Sequence, residues 1–183
     1  GMIHWSANFD EIHDFEHDIR SFFLGEGFLT DAEFNTGTRN TTLGDPKAGV
    51  DEELDALAAY VTSLATVGRS PHRNADGSLT VEALQGRRLF EQLNCMSCHV
   101  GDDFTNSTGS SPNLINIGTI KASSGQRLNG TLSGIDTPTL RGLWRTAPYL
   151  HDGSAATILD VLTTQNPLDL HGVTSTLTSN EVD

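Results

Sequence analysis

Two cysteines separated by two residues and followed at once by a histidine, Cys95-Met96-Ser97-Cys98-His99, leave this chain few ways to fold. They are its only cysteines, and Cys-x-x-Cys-His is the attachment signature of c-type haem. The spacing has a mechanical reason. Thiols about one helical turn apart reach the two vinyl groups on one porphyrin edge, and His99 is then held against one face of the ring as an iron ligand. The alternatives lack partners. A thioredoxin-like redox pair needs a βαβ setting, and none is visible. A zinc site needs two further ligands, and His13 and His17, though at helical spacing, lie in a distant segment.

A haem domain needs an apolar interior, and the 36 % hydrophobic content of these 183 residues supports a lean one. No stretch approaches the ~20 consecutive apolar residues of a membrane span. Eleven Lys and Arg against twenty-four Asp and Glu give a net charge of −13, a field that repels nucleic acid and anionic lipid and keeps the chain soluble. The opening Gly1-Met2-Ile3-His4-Trp5 lacks the basic and apolar regions of a secretory leader. Gly1-Met2 reads as a protease scar, so the natural start is expected upstream. Haem c is attached on the oxidising side of a bacterial inner membrane, so a periplasmic or exported location is expected.

Apolar spacing predicts an amphipathic helix over 9–24, then a long irregular loop over 25–50 rich in Gly, Thr and Asn. Residues 51–66 begin with three acids and carry Leu54, Leu57, Tyr60, Val61 and Leu64 on one stripe, which predicts a second helix. Residues 67–79 read as a linker. Thr80 caps a third helix that runs up to the cysteine motif. Residues 100–137 have no sustained period. Short helices are expected at 139–145 and, capped by Ser154, at 154–163. Thr178 or Ser179 caps a last helix that stops within its first turn. The expected class is all-α with long loops, and the helix near 51–65 is expected to pack on the one near 81–93 or to stand in for the absent C-terminal helix of a neighbouring copy. His4, His13, His17 and His72 are expected to face solvent.

An internal repeat divides the chain. His4-Trp-Ser-Ala before one helix echoes His151-Asp-Gly-Ser before another, and Glu53-Leu-Asp echoes Glu181-Val-Asp. The expected organisation is a helical remnant of a preceding cytochrome-like domain over 1–66 and a haem domain over 80–183 whose last helix is truncated.

The flanks of the motif carry a family resemblance. Gly86-Arg-Arg-Leu-Phe90 resembles the first helix of a class I cytochrome c. Asp136-Thr-Pro-Thr-Leu-Arg141 and Thr146-Ala-Pro-Tyr-Leu-His-Asp-Gly153 resemble the second, C-terminal haem domain of bacterial dihaem cytochrome c peroxidases and the related dihaem enzymes that mature a tryptophan-derived quinone cofactor. Arg69-Ser-Pro-His-Arg73 and Asp103-Phe-Thr105 fit the same family's linker and post-haem loop, so the resemblance covers roughly residues 50–183. It implies one covalent haem c on an electron-transfer domain that works with a redox partner protein or a second haem domain; a homodimer is the other assembly considered. It also implies a calcium ion held by the backbone carbonyls of Thr146 and Pro148. A single Cys-x-x-Cys-His departs from the family's two, so the peroxide-binding haem is absent from this sequence. The rival reading is the electron-accepting half of an active hydrogen-peroxide-reducing enzyme.

The sixth iron ligand follows from the same resemblance. Where the family places a methionine, this chain has Gln165, and Met96 cannot bend back from between the haem cysteines. Counted back from Glu181, the loop is longer than the family's, and His171, followed by Gly172, is its strongest ligand. His171 is therefore expected opposite His99, with His151, Gln165 and an open or water-bound iron as the alternatives. Tyr149 and Trp144 are expected to pack the haem pocket. Arg141 pairs either with a haem propionate or with a surface acid.

Overall fold

Asp51 starts helix α3 (Glu52–Ser63) by accepting the backbone N–H of Glu53 at 3.0 Å and of Leu54 at 2.8 Å. Glu52, Glu53 and Asp55 in its first turn add favourable charge at that end. Leu54 and Ala58 form its buried stripe, which packs on residues 12–14, while His13 Nε2 meets Asp55 at 3.0 Å. Tyr60 is left 63 % exposed. The expected packing of this helix on α4 (Val81–Gln92) is therefore corrected. Phe90 of α4 faces His99 and Phe104 instead. These relations come from a computed structural model that describes residues 2–107 and 112–182; the rest of the 100–137 loop, 108–111, lies outside them.

Residues 9–24 do not form one uniform helix. A 3-10 turn (Ile12–Asp14) passes into one α turn, α1 (Phe15–His17), and then into a π segment (Asp18–Phe22). The reason is a carboxylate. Glu16, fully buried, accepts the backbone N–H of Phe28 at 3.0 Å and of Leu29 at 3.2 Å and the Arg20 Nε–H at 2.7 Å. The returning chain is thus drawn onto the helical run. Gly27 there has φ +76°, and a Cβ would fall on the Glu16 carboxylate. Such convergent polar pairing overrides the apolar spacing and leaves Phe22, Phe23 and Leu24 exposed.

The stretch over 25–50 is not wholly irregular. Thr30 and Glu33 form a capping box at helix α2 (Asp31–Phe34). Lys47 then returns to the helical run, where its Nζ lies 2.5 Å from Asp14 Oδ1 with both side chains inaccessible to water. His17 is buried too, donating from Nε2 to the Arg39 carbonyl at 3.1 Å and packing on Phe34. The expectation that His13 and His17 face solvent is therefore corrected.

Burial, and then the positive charge of Lys47, lower the His17 pKa below the ordinary imidazole value of about 6.5. The unfolded chain binds that proton more tightly. The stabilisation from neutral His17 is therefore present above the unfolded value and is lost as pH falls below it. The thermal midpoint should drop between about pH 7.5 and pH 5.5, and His17→Asn should flatten the drop. Thermal melts of both proteins across that range check this.

Residues 2–7 are stitched into the second half of the chain. The Met2 N–H reaches Ser107 Oγ at 3.0 Å, the Trp5 carbonyl accepts the Asp136 N–H at 2.8 Å, and Arg127 Nε donates to the Ser6 carbonyl at 2.9 Å. The buried apolar residues Ala7 and Phe9 lie in or just after this strip, and Leu132 and Ile135 lie in the second half. One loop is built twice. Ile3 bridges Phe9 around a bond from the Ala7 N–H to the His4 carbonyl, and Tyr149 bridges Ala155 around one from the Gly153 N–H to the Leu150 carbonyl. His4 and Leu150 share φ 68°. The repeat read in the sequence is therefore structural, but shifted by one residue: Trp5 matches His151.

The described chain is mostly helical, as expected, with one small sheet added. Strands β1 (Gln126–Arg127) and β2 (Gly130–Thr131) form an antiparallel hairpin. Its two-residue turn has positive φ at Leu128 and Asn129, as a type I′ turn requires. The helix expected at 139–145 is a 3-10 turn at Leu143–Arg145. The one expected at 154–163 shortens to α5 (Ile158–Leu162), because Thr157 rather than Ser154 makes the capping box, with Asp160. Helix α6 (Ser179–Val182) starts at Thr178, whose N–H and hydroxyl both donate to Glu181. Among the described residues, no helix is long and apolar enough to cross a membrane.

Candidate functional site

The cysteine motif sits where α4 ends. Thr80 caps the helix by accepting the Ala83 N–H at 3.1 Å, as expected from the sequence. At the other end Asn94 takes a left-handed conformation (φ 58°), which turns the chain into a 3-10 turn at Cys95–Ser97. That turn carries both thiols and the histidine on one short loop, since the N–H groups of Cys98 and His99 both donate to the Cys95 carbonyl. Both thiols are free and half-buried, and burial raises the Cys95 pKa.

His99 is 9 % exposed, and burial lowers its pKa, so the ring is neutral near pH 7. Its Nδ1 lies 3.0 Å from the Phe104 carbonyl. A neutral imidazole that donates from Nδ1 keeps its lone pair on Nε2, the tautomer a metal ligand requires. The Phe90 ring is centred 6.3 Å from that of His99 and 6.4 Å from that of Phe104.

His171 comes to the same place from the loop after α5. Its ring centre is 6.3 Å from that of His99, with the planes at 48°. Burial and then the adjacent His99 lower its pKa. Two imidazoles bound to opposite faces of one iron by bonds of about 2 Å have ring centres roughly 6 Å apart, once each ring's own radius is added. A side chain on Gly172 would reach within 4.0 Å of Cys95 Sγ, so the loop also lies beside the first thiol. Two free thiols on one short loop and two imidazoles at this separation make a donor set that fits haem c.

The other candidates are placed elsewhere. His151 Nε2 is 2.8 Å from Ser124 Oγ and borders a cavity of about 1050 Å³ that Trp5 and Asp136 also line. Neither its ring nor the half-buried Gln165 is paired with His99. Arg141 forms an exposed ion pair with Asp103 at 2.8 Å, the surface-acid alternative. Tyr149 donates its hydroxyl to the Leu143 carbonyl at 2.7 Å. Thr146 and Pro148 are exposed, and among the described residues no three His, Cys, Asp or Glu side chains converge as a metal site. Sequence reading missed Asn166, buried beneath the His171 loop; no motif marks a lone asparagine.

Comparison with known proteins shows a cytochrome c-like domain. Residues 134–171 match the family described as RoxA-like, cytochrome c-like. The chain is 34 % identical over 162 residues to hydrazine synthase subunit gamma of Kuenenia stuttgartiensis, covering 70 % of this chain and 46 % of that one. It is 27 % identical over 136 residues to cytochrome c551 peroxidase of Nitrosomonas europaea, covering 70 % and 41 %. The chain thus spans less than half the length of these curated relatives. A solved structure of Kuenenia stuttgartiensis hydrazine synthase under xenon superposes with a TM-score of 0.53 at 31 % identity, over 70 % of this chain and 51 % of that one.

Proposed function

We propose that this chain, whose cytochrome c-like domain is related to hydrazine synthase subunit gamma and cytochrome c551 peroxidase, binds one haem c and passes single electrons. One observation carries the reading: the motif ends in a buried histidine, and the ring of a second, half-buried histidine is centred 6.3 Å from it. Cys95 and Cys98 would hold the group through two thioethers, and His99 and His171 would hold the iron from its two faces. Haem c, once attached, supplies a one-electron ferric/ferrous couple.

The polypeptide's part is positioning. The Nδ1–H of His99 donates to the Phe104 carbonyl, which fixes the ring's rotation and makes Nε2 a better donor. Phe90 packs beside that ring. Two imidazoles favour the ferric state more than a histidine and a thioether would, so the potential lies below that of a His/Met cytochrome. With His99 and His171 both holding the iron, small substrates would have no open site, which suits electron transfer better than peroxide chemistry.

Residues 1–66 are read as the helical remnant of a preceding cytochrome-like domain, supported by the loop built twice, around residues 3–9 and 149–155. The working partner is a second haem domain or a separate redox protein, on the periplasmic side. Similarity to cytochrome c551 peroxidase supports a second reading, the electron-accepting half of a peroxide-reducing enzyme. Peroxide turnover with a one-electron donor separates the two: the chain as given should show little.

The direct test is the intact mass of the protein exported from a host that matures c-type cytochromes. The polypeptide plus one haem is expected, with sharp α and β bands on reduction. A mass equal to the bare polypeptide under those conditions overturns the reading.

A further inference from the structure

We infer that Asn166 is the positioning residue that holds His171 in place, an assignment that rests on the reading of His171 as an iron ligand. The Asn166 side chain is 4 % exposed and lies beneath the loop that carries His171. Its Oδ1 accepts the His171 N–H at 2.9 Å. Its Nδ2 donates to the Gly172 carbonyl and to Thr174 Oγ1, each at 2.8 Å. One amide thus grips the loop on both sides of the His171 Cα. The N–H it accepts also fixes which end of the amide is oxygen.

The grip is anchored. Thr174 Oγ1 passes its own proton to the Leu162 carbonyl at the end of α5, so the asparagine, the loop and the helix form one connected set. Asp169 closes the far side, accepting the N–H groups of Thr174 and Ser175 at 3.0 Å each. Without such bracing the loop would be free to swing. Gly172, the residue after the ligand, has φ 82°, and its neighbours Leu168, Leu170 and Val173 are exposed and contribute little packing.

No other side chain of that size does the same work. Aspartate keeps the acceptor but cannot donate, and its second oxygen would face the Gly172 carbonyl. Leucine keeps the volume and loses every bond. Either change leaves buried backbone groups unpaired, at a cost that shifts a local opening equilibrium by about tenfold or more. His171 would then leave the iron more often, while its own chemistry stayed unaltered.

The test uses the full haem-loaded chain with Asn166→Leu, Asn166→Asp and Thr174→Val. Two quantities are read: the rate of carbon monoxide binding to the reduced protein, and hydrogen exchange at the His171 amide. Both should rise by about tenfold or more in Asn166→Leu, and by less in Thr174→Val, which loses one arm of the grip. A folded Asn166→Leu protein with wild-type rates in both would overturn the assignment. Should the leucine variant not fold, Asn166→Asp decides by the same two rates. His171→Ala separates the two levels of the argument: if its spectrum stays low-spin, the ligand reading has failed. If it turns high-spin while the Asn166 variants behave as wild type, only the positioning role has failed.

Discussion

His171→Ala should convert the ferric protein from a low-spin to a high-spin spectrum and open the reduced iron to carbon monoxide. The ring removed is the one whose centre stands 6.3 Å from that of His99. No other described imidazole is paired with His99; His151 is bonded to Ser124 instead. The companion variant His151→Ala should leave the spectrum unchanged. A low-spin spectrum that survives His171→Ala but is lost in His151→Ala would transfer the sixth position to His151. Visible and near-infrared spectra of the two variants are sufficient to decide.

The second large effect concerns stability. Lys47→Met should destabilise the fold by about 3–5 kcal/mol, because it leaves the Asp14 carboxylate buried without its counter-charge. The pair is 2.5 Å apart, with side chains 0 % and 1 % exposed. In a chain of this size that loss lowers the thermal midpoint by on the order of 10 °C. Replacing both partners, Lys47→Met with Asp14→Leu, should recover much of it, since the desolvation of both charges disappears together with their attraction. Urea unfolding of the single and double variants measures the difference. Equal losses in both would show that packing around Lys47, not its charge, is what matters.

What the sequence made legible was local. Thr80 and the three acids that open residues 51–66 announced two helix starts, and the five-residue cysteine motif and the long loop after it drew attention to His99 and His171, whose rings the fold brings together. Each of these signals spans a short window, within which spacing and capping decide the outcome. The remainder depended on partners far apart in the chain. Glu16 meets the backbone of residues 28 and 29, and Lys47 meets Asp14 across 33 positions. Nothing in either neighbourhood reveals the other. The same blindness explains the helix that became three short pieces, because its apolar spacing was genuine but a buried carboxylate claimed its polar side. The hairpin was a different kind of miss. Asn129-Gly130 is a turn signal, yet it stands in a polar stretch without the alternation that normally marks strands.

The bonds that tie residues 2–7 to residues 107–136 also set an order in time. A ribosome adds roughly 5–20 residues per second, so the partner of the Trp5 carbonyl is made on the order of ten seconds after Trp5 itself. Helices α3 and α4 close within microseconds of emerging, but this strip has to wait. Through that interval Trp5 and Phe9 belong to a nascent chain without its lining, open to any chaperone that recognises apolar sequence. Residues 2–7 therefore find their partners only once residues 107–136 have been made, later than the two helices between them close.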